Sequence, residues 1–175
     1  MKKTKHLLIE LPTADEIDQL AVTSPKFEIR QMEFDMGGKE ADLDYTPCKG
    51  QVILVARGEQ GIPLVRKPSG KDWSLPTDRI GPNENIEKSA RRVAREQCGI
   101  MLRSIELAAI YDVVWHFSNI SIKRLHVVYA GTTDDTECKP EKSSVVREVR
   151  FFMQIPVALQ KHQVHGNALT DCSGK

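Results

Sequence analysis

The chain is 175 residues long, a size suited to one globular domain. Apolar residues make up 40%, enough to build a core, and charged residues 28%. Lys and Arg number 25 against 24 Asp and Glu, a formal net charge of +1 that argues against bulk, sequence-independent nucleic-acid binding but leaves room for a local basic pocket.

In chain order, the start Met1-Lys2-Lys3-Thr4-Lys5-His6 imitates the basic region of a signal peptide, but the apolar run behind it stops at Glu10, so no signal is read. No apolar run approaches the roughly 20 residues that a membrane-spanning helix needs. Thr13-Ala14-Asp15-Glu16 has the form of a capping box, with a short helix to about Leu20. Residues 27–36 alternate as a strand whose phase slips once, which a bulge would explain. Gly37-Gly38 supplies a turn, and Ala41, Leu43 and Tyr45 alternate in a second strand, so a hairpin is expected.

Residues 51–57 form an apolar, β-branched run that suits a strand buried on both faces. A Gly58-to-Gly61 turn and a strand over 62–66 follow. Asn85 caps a predicted helix over 86–98, and Gly99 stops it. Residues 105–115 and 120–130 read as a long hairpin, 145–153 as a further strand, and Pro156 opens a weak helix. A last helix includes Asn167, Ala168 and Leu169. The four cysteines, Cys48, Cys98, Cys138 and Cys172, are widely spaced without a CxxC pair, which favours free thiols and a cytoplasmic setting over zinc or disulfides. The element order fits an α/β protein of the α+β type, a mixed sheet with helices on its faces. Residues 1–44 are expected to be an N-terminal extension and 45–175 the domain.

Within residues 73–100, Trp73, Leu75 and Pro76 precede Glu84, Arg92, Ala94, Glu96, Gly99 and Ile100. This segment resembles a Nudix box, G-x5-E-x7-R-E-U-x-E-E-x-G-U with U apolar, preceded by W-x-L-P-G. The flanking strands and the closing Ile155-Pro156 resemble the same superfamily over roughly residues 45 to 172. Its fold implies a mixed sheet sandwiched between helices. Its activity implies cleavage of a nucleoside diphosphate linked to another group, with carboxylates on the box helix holding Mg2+ or Mn2+.

The chain departs from that pattern where the chemistry resides. Thr77 and Asp78 replace the paired glycines, Val93 replaces the first clustered glutamate and Gln97 the last. Magnesium prefers hard oxygen ligands, so valine cannot substitute and a neutral amide is the poorer ligand. Weak metal binding is expected, with Glu96 and Arg92 as the surviving catalytic pair. Asp78, Glu84 and Glu148 are the carboxylates able to rebuild a metal site around Glu96. As ordinary residues they are a loop acid, a first-turn helix charge and a solvated strand residue.

Arg92 is expected to bridge to Glu96 or to loop carbonyls, or to be a solvated helix arginine. Arg66, Lys67 and Lys71 flank the box and suit phosphate oxygens, or simple solvation. Trp115 and Phe117 suit stacking on a base, contact with a partner, or core packing. Tyr111 is expected in the core and His116 on the surface without an acid partner. The expected function is a Nudix-like domain with an eroded metal site that binds a nucleotide-like ligand or a protein partner with little hydrolysis. A divergent magnesium-dependent hydrolase and a structural subunit of an assembly are the alternatives.

Overall fold

The computed structural model describes residues 6–10, 14–23, 27–40, 49–141 and 146–174. The strands are β1 (His6–Glu10), β2 (Glu28–Asp35), β3 (Gln51–Arg57), β4 (Ile62–Arg66), β5 (Thr77–Arg79), β6 (Ser104–His116), β7 (Ile120–Thr132) and β8 (Glu148–Phe152). The helices are α1 (Ala14–Thr23), α2 (Ile86–Val93), α3 (Val157–Gln160) and α4 (Gln163–Asp171), and a π-helical turn, Ala94–Cys98, prolongs α2.

The main sheet runs β2-β6-β7-β3-β5, and β1 pairs with the first part of β7, in line with β3 along the same edge. It is mixed: β1, β2 and β3 pair in parallel, while β6–β7 and β3–β5 are antiparallel. The predicted long hairpin is β6–β7, closed where the Phe117 N–H donates to Ile120.

The unbroken apolar run of β3 is explained by helices on both faces. Val52, Leu54 and Ala56 pack with Ala90 and Val93 of α2, whereas Ile53 and Val55 pack with Val164 and Ala168 of α4. These two clusters are the halves of a helix–sheet–helix sandwich, the architecture expected from the sequence.

Several details differ. β2 carries no bulge; it pairs with β6 without interruption from Glu28 opposite Ala109 to Asp35 opposite His116. Met32 and Phe34 dock on the α4-side cluster, and the two-residue period then turns Ile29 outward, where it is 62% exposed. The irregularity lies instead on β6, between Leu107 and Ala109. Gly37 and Gly38 do form the turn, with φ of 64° and 79°. The expected partner strand with Ala41, Leu43 and Tyr45 lies outside the described residues, as do Thr13 of the capping box and Cys48.

β4 does not continue the main sheet after the Gly58–Gly61 turn. It pairs antiparallel with β8 as a separate two-stranded ribbon. Gly61 permits this close approach: its φ is +102°, and a Cβ there would meet the Phe152 carbonyl at 2.2 Å.

Candidate functional site

The site is built on β5, the loop after it, and α2 with its π turn. Asn85, with extended backbone, accepts the Lys88 N–H through its side chain at 3.0 Å and starts the helix as predicted. Gly99 ends it in the left-handed region, φ +66°. The helix between them is not uniform. From Ala94 onward it widens into a π turn, which re-aims the residues behind Val93.

Arg92 stands at the centre. Its Nε and Nη2 grip the Glu84 carboxylate at 2.7 and 3.1 Å. Its Nη1 donates to Asp78 at 2.7 Å and to Glu96 at 3.3 Å, and Nη2 also donates to the Arg79 carbonyl at 2.8 Å. Five hydrogen bonds match the five N–H groups of a guanidinium. The Gly81 N–H, three residues upstream, donates to Glu84 Oε2 at 3.0 Å, the oxygen that also accepts from Arg92 Nη2. Burial works to raise the Glu84 pKa, but the Arg92 and Gly81 hydrogen bonds and the Arg92 charge outweigh it, holding the carboxyl below its usual range. Arg92 is correspondingly held more firmly protonated, chiefly by Glu84.

The two replaced positions point away from this cluster. Val93 is fully buried in the α2-side core. Gln97 is buried too; its amide nitrogen donates to the Thr77 carbonyl at 3.1 Å and its Oε1 has no hydrogen-bond partner among the described residues. Glu96 is likewise buried, not the exposed carboxylate that a solvated helix face would present. Lys49 closes the other end, pairing with Glu16 of α1 and donating to the Glu84 carbonyl at 3.3 Å.

The pattern of the NUDIX domain family matches residues 46–171. The chain belongs to the Nudix family. A Bacillus subtilis pyrophosphohydrolase mutant superposes with a TM-score of 0.55 at 14% identity over 79% of this chain and 88% of that one. The MutT Nudix hydrolase of Burkholderia pseudomallei gives 0.53 at 17% identity over 70% and 96%. The Nudix domain of NrtR from Shewanella oneidensis, solved with ADP-ribose, gives 0.53 at 20% identity over 69% and 85%. No curated protein matches by sequence. At these identities the solved structures support the fold alone.

Within this Nudix domain, Asp78, Glu84, Arg92 and Glu96 converge. Glu148 does not join them; it lies opposite Arg66 in the β4–β8 ribbon, 3.3 Å from its guanidinium, and also pairs with Arg150. Arg66 lies over the Trp73 ring at 4.5 Å, so stacking rather than solvation positions it, while Lys67 and Lys71 are exposed. Trp115 packs near Phe34 and His126, and Phe117 is partly buried at the hairpin end. Tyr111 is in the core as expected and donates to Asp171. His116 is not without an acid: parallel pairing sets β2 beside it, bringing Glu33 within 3.6 Å.

A divalent cation does not fit these residues as arranged. The three converging carboxylates are already bridged by a guanidinium, Gln97 points its amide N–H at a carbonyl, and Val93 offers no donor. Among the described residues no group of three or more His, Cys, Asp or Glu is disposed to hold a metal. Lys49 and the Gly81 N–H were not legible as site residues, because their contacts depend on how distant segments pack. Asp78 in place of a glycine was the one local signal that this loop is tied differently.

Proposed function

We propose that this Nudix domain binds a nucleotide-like ligand and hydrolyses it little or not at all. The observation that supports this is the guanidinium of Arg92 lodged among Asp78, Glu84 and Glu96, where its positive charge offsets carboxylates that would otherwise attract a cation. Cleavage of a diphosphate builds negative charge at the attacked phosphorus and leaving oxygen, and a cluster saturated by its own arginine offers little to offset it. The NrtR Nudix domain, with ADP-ribose bound, suggests the class of ligand.

A second reading, a divergent metal-dependent hydrolase, draws on the same convergence of three carboxylates. It requires Arg92 to release at least two of them. The test is a combined binding and turnover measurement with ADP-ribose and other nucleoside diphosphate derivatives in magnesium or manganese. Saturable binding with product formation at the level of the blank is expected. Metal-dependent turnover that disappears in Glu96→Gln establishes the second reading instead.

The same proposal treats residues 1–44 as an extension that completes the 45–175 domain. Pairing of β1 with β7 and β2 with β6 supports it, since both strands precede the family match. A cytoplasmic setting is kept in this proposal, in keeping with the free thiols of Cys98, Cys138 and Cys172.

A further inference from the structure

Three of the chain's five histidines meet where α4 begins: His126 on β7, His162 as the residue that caps the helix, and His165 in its first turn. They share the lining of a cavity of about 600 Å³ with Phe34 and Trp115. Behind them, α4 packs Val164, Ala168 and Leu169 against the sheet. The far end of the helix is tied by Asp171, which accepts from Tyr111 and pairs with Arg30 at 2.6 Å. Its start is tied by imidazoles.

Both ties use a lone pair. His162 Nδ1 accepts the His165 N–H at 3.2 Å and so caps α4. His165 Nδ1 accepts the Leu75 N–H at 3.1 Å and joins the helix to the segment that leads into β5. Each bond requires a neutral ring with its proton on Nε2. A proton taken up from solvent at Nδ1 turns the acceptor into a donor facing another N–H, and the bond ends. At His162 the new charge would also stand at the positive end of the helix dipole. His126 favours opening for a different reason. It is only 5% exposed and meets the Trp115 ring edge-on at 5.3 Å. Neither of its ring nitrogens has a hydrogen-bond partner among the described residues, so contact with water would supply bonds that the closed arrangement withholds.

The surroundings resist a proton while α4 is seated. Burial, then His162 and Lys67, push the His165 pKa down to about 3. Burial, then Arg124 and His165, push His126 down to about 3, and burial lowers His162. Lys161 adjoins His162 in the chain. The acids lining the cavity are Glu33 and Asp35 of β2. Glu33 lies 3.6 Å from His116, and Asp35 accepts the Gly37 N–H at 2.8 Å.

We propose that acid frees the start of α4: protonation of His165 and His162 removes the two acceptors that hold it, His126 opens to water, and the Asp171 end stays attached. The free helix start binds protons more readily than the seated one. An imidazole held below its ordinary value of about 6.5 favours the seated state fully above that pH, and this preference is lost as pH falls toward the seated-state value. For His165 the loss therefore runs from about pH 6.5 down to about 3. The upper part of that window lies above the ordinary carboxylate range. One such group raises the open-to-closed ratio about thirtyfold between about pH 7.5 and about pH 5.

Amide hydrogen exchange of the intact chain, corrected for the intrinsic rate at each pH, tests this. Protection of the Leu75, His165 and Gly166 N–H groups is expected to fall by about tenfold or more between about pH 7.5 and about pH 5, while that of the β6–β7 amides holds. His165→Gln supplies an oxygen that can accept the Leu75 N–H without titrating, and His162→Asn does the same for the cap. The first is expected to flatten the fall at Leu75, and the second to reduce it at His165. The proposal is overturned if the three amides keep their protection at the lower pH, if the β6–β7 amides lose theirs in equal measure, or if both folded variants show the full fall. The imidazole nitrogen resonances of the unmodified protein give a reading that needs no variant. His165 is expected to take up its proton as protection is lost, and a His165 ring that titrates while α4 stays protected overturns the proposal.

Discussion

Arg92 does for this loop what a covalent staple does elsewhere: it connects Asp78 and the Arg79 carbonyl in β5, Glu84 in the turn, and Glu96 in the π turn. Its removal would leave three carboxylates facing one another in a part-buried site. Arg92→Gln is therefore expected to destabilise the fold by about 2–3 kcal/mol at neutral pH, read from urea unfolding, since breaking a partly buried pair costs more than a surface one but less than a fully buried one. The pH dependence should also invert. Glu84 has its folded pKa depressed, so its contribution is present above the ordinary glutamate value and is lost as pH falls through the lowered folded value. In Arg92→Gln the opposing effect of burial dominates, the Glu84 pKa rises, and mild acid should stabilise the variant relative to neutral pH. An unchanged stability profile between the two proteins would refute this account. Gly99 is the other decisive residue. A Cβ there would lie 1.8 Å from the Lys139 carbonyl, in a left-handed backbone, so Gly99→Ala should cost at least about 2 kcal/mol by thermal or urea melts.

At the scale of elements, α2 and its π turn separate two kinds of position. The periodicity of Ile86, Ala90, Val93 and Ala94 is the periodicity of a buried face, and the structure places all four in one core cluster. Val93 thus belongs to the packing of the sheet against the helix. Val93→Glu should cost roughly 3 kcal/mol or more, because a carboxyl would enter a fully buried apolar site. The double change Val93→Glu with Gln97→Glu should consequently lower the melting temperature and yield no turnover. A stable double variant with metal-dependent turnover would show that the helix can roll to present both residues. On the opposite face, Tyr111 of β6 donates to Asp171 at the end of α4, and Asp171 also pairs with Arg30 of β2 at 2.6 Å. This one carboxylate ties two strands to a helix. Tyr111→Phe should lower stability by about 1 kcal/mol, since Arg30 still satisfies the acid.

For the whole molecule, the test of an internally balanced site is its indifference to metal. A cation that binds only the folded state stabilises it in proportion to the logarithm of its concentration over its dissociation constant. With Arg92 already seated among the acids, magnesium at millimolar concentration should move the melting temperature by about 1 °C or less. A larger rise, abolished by Glu96→Gln, would mean that the arginine yields to the ion. The Arg92 cluster sits with α2 on one face of the sheet, and buried His126 lies on the other face with α4.

Much of this was written in local pattern. Asn85 and Gly99 determined where the helix begins and ends, because a cap and a left-handed stop depend only on neighbouring residues. The apolar run of β3 determined that both sheet faces are covered, and the β6–β7 hairpin followed from two long runs joined by a short polar turn. The spacing of Glu84, Arg92, Glu96 and Gly99 determined the family. What local pattern left open depends on packing between distant segments. The docking of Met32 and Phe34 chose which face of β2 is inward and so exposed Ile29. Widening of the helix behind Val93 put Gln97 against Thr77, and the path of the β5 loop brought Asp78 to Arg92. The parallel placement of β2 set Glu33 beside His116, and the seating of α4 enclosed His126, whose ring nitrogens find no hydrogen-bond partner among the described residues. Hydrogen bonds and ion pairs act over a few ångströms, so the sequence specifies which groups are available and only the folded chain decides which of them meet.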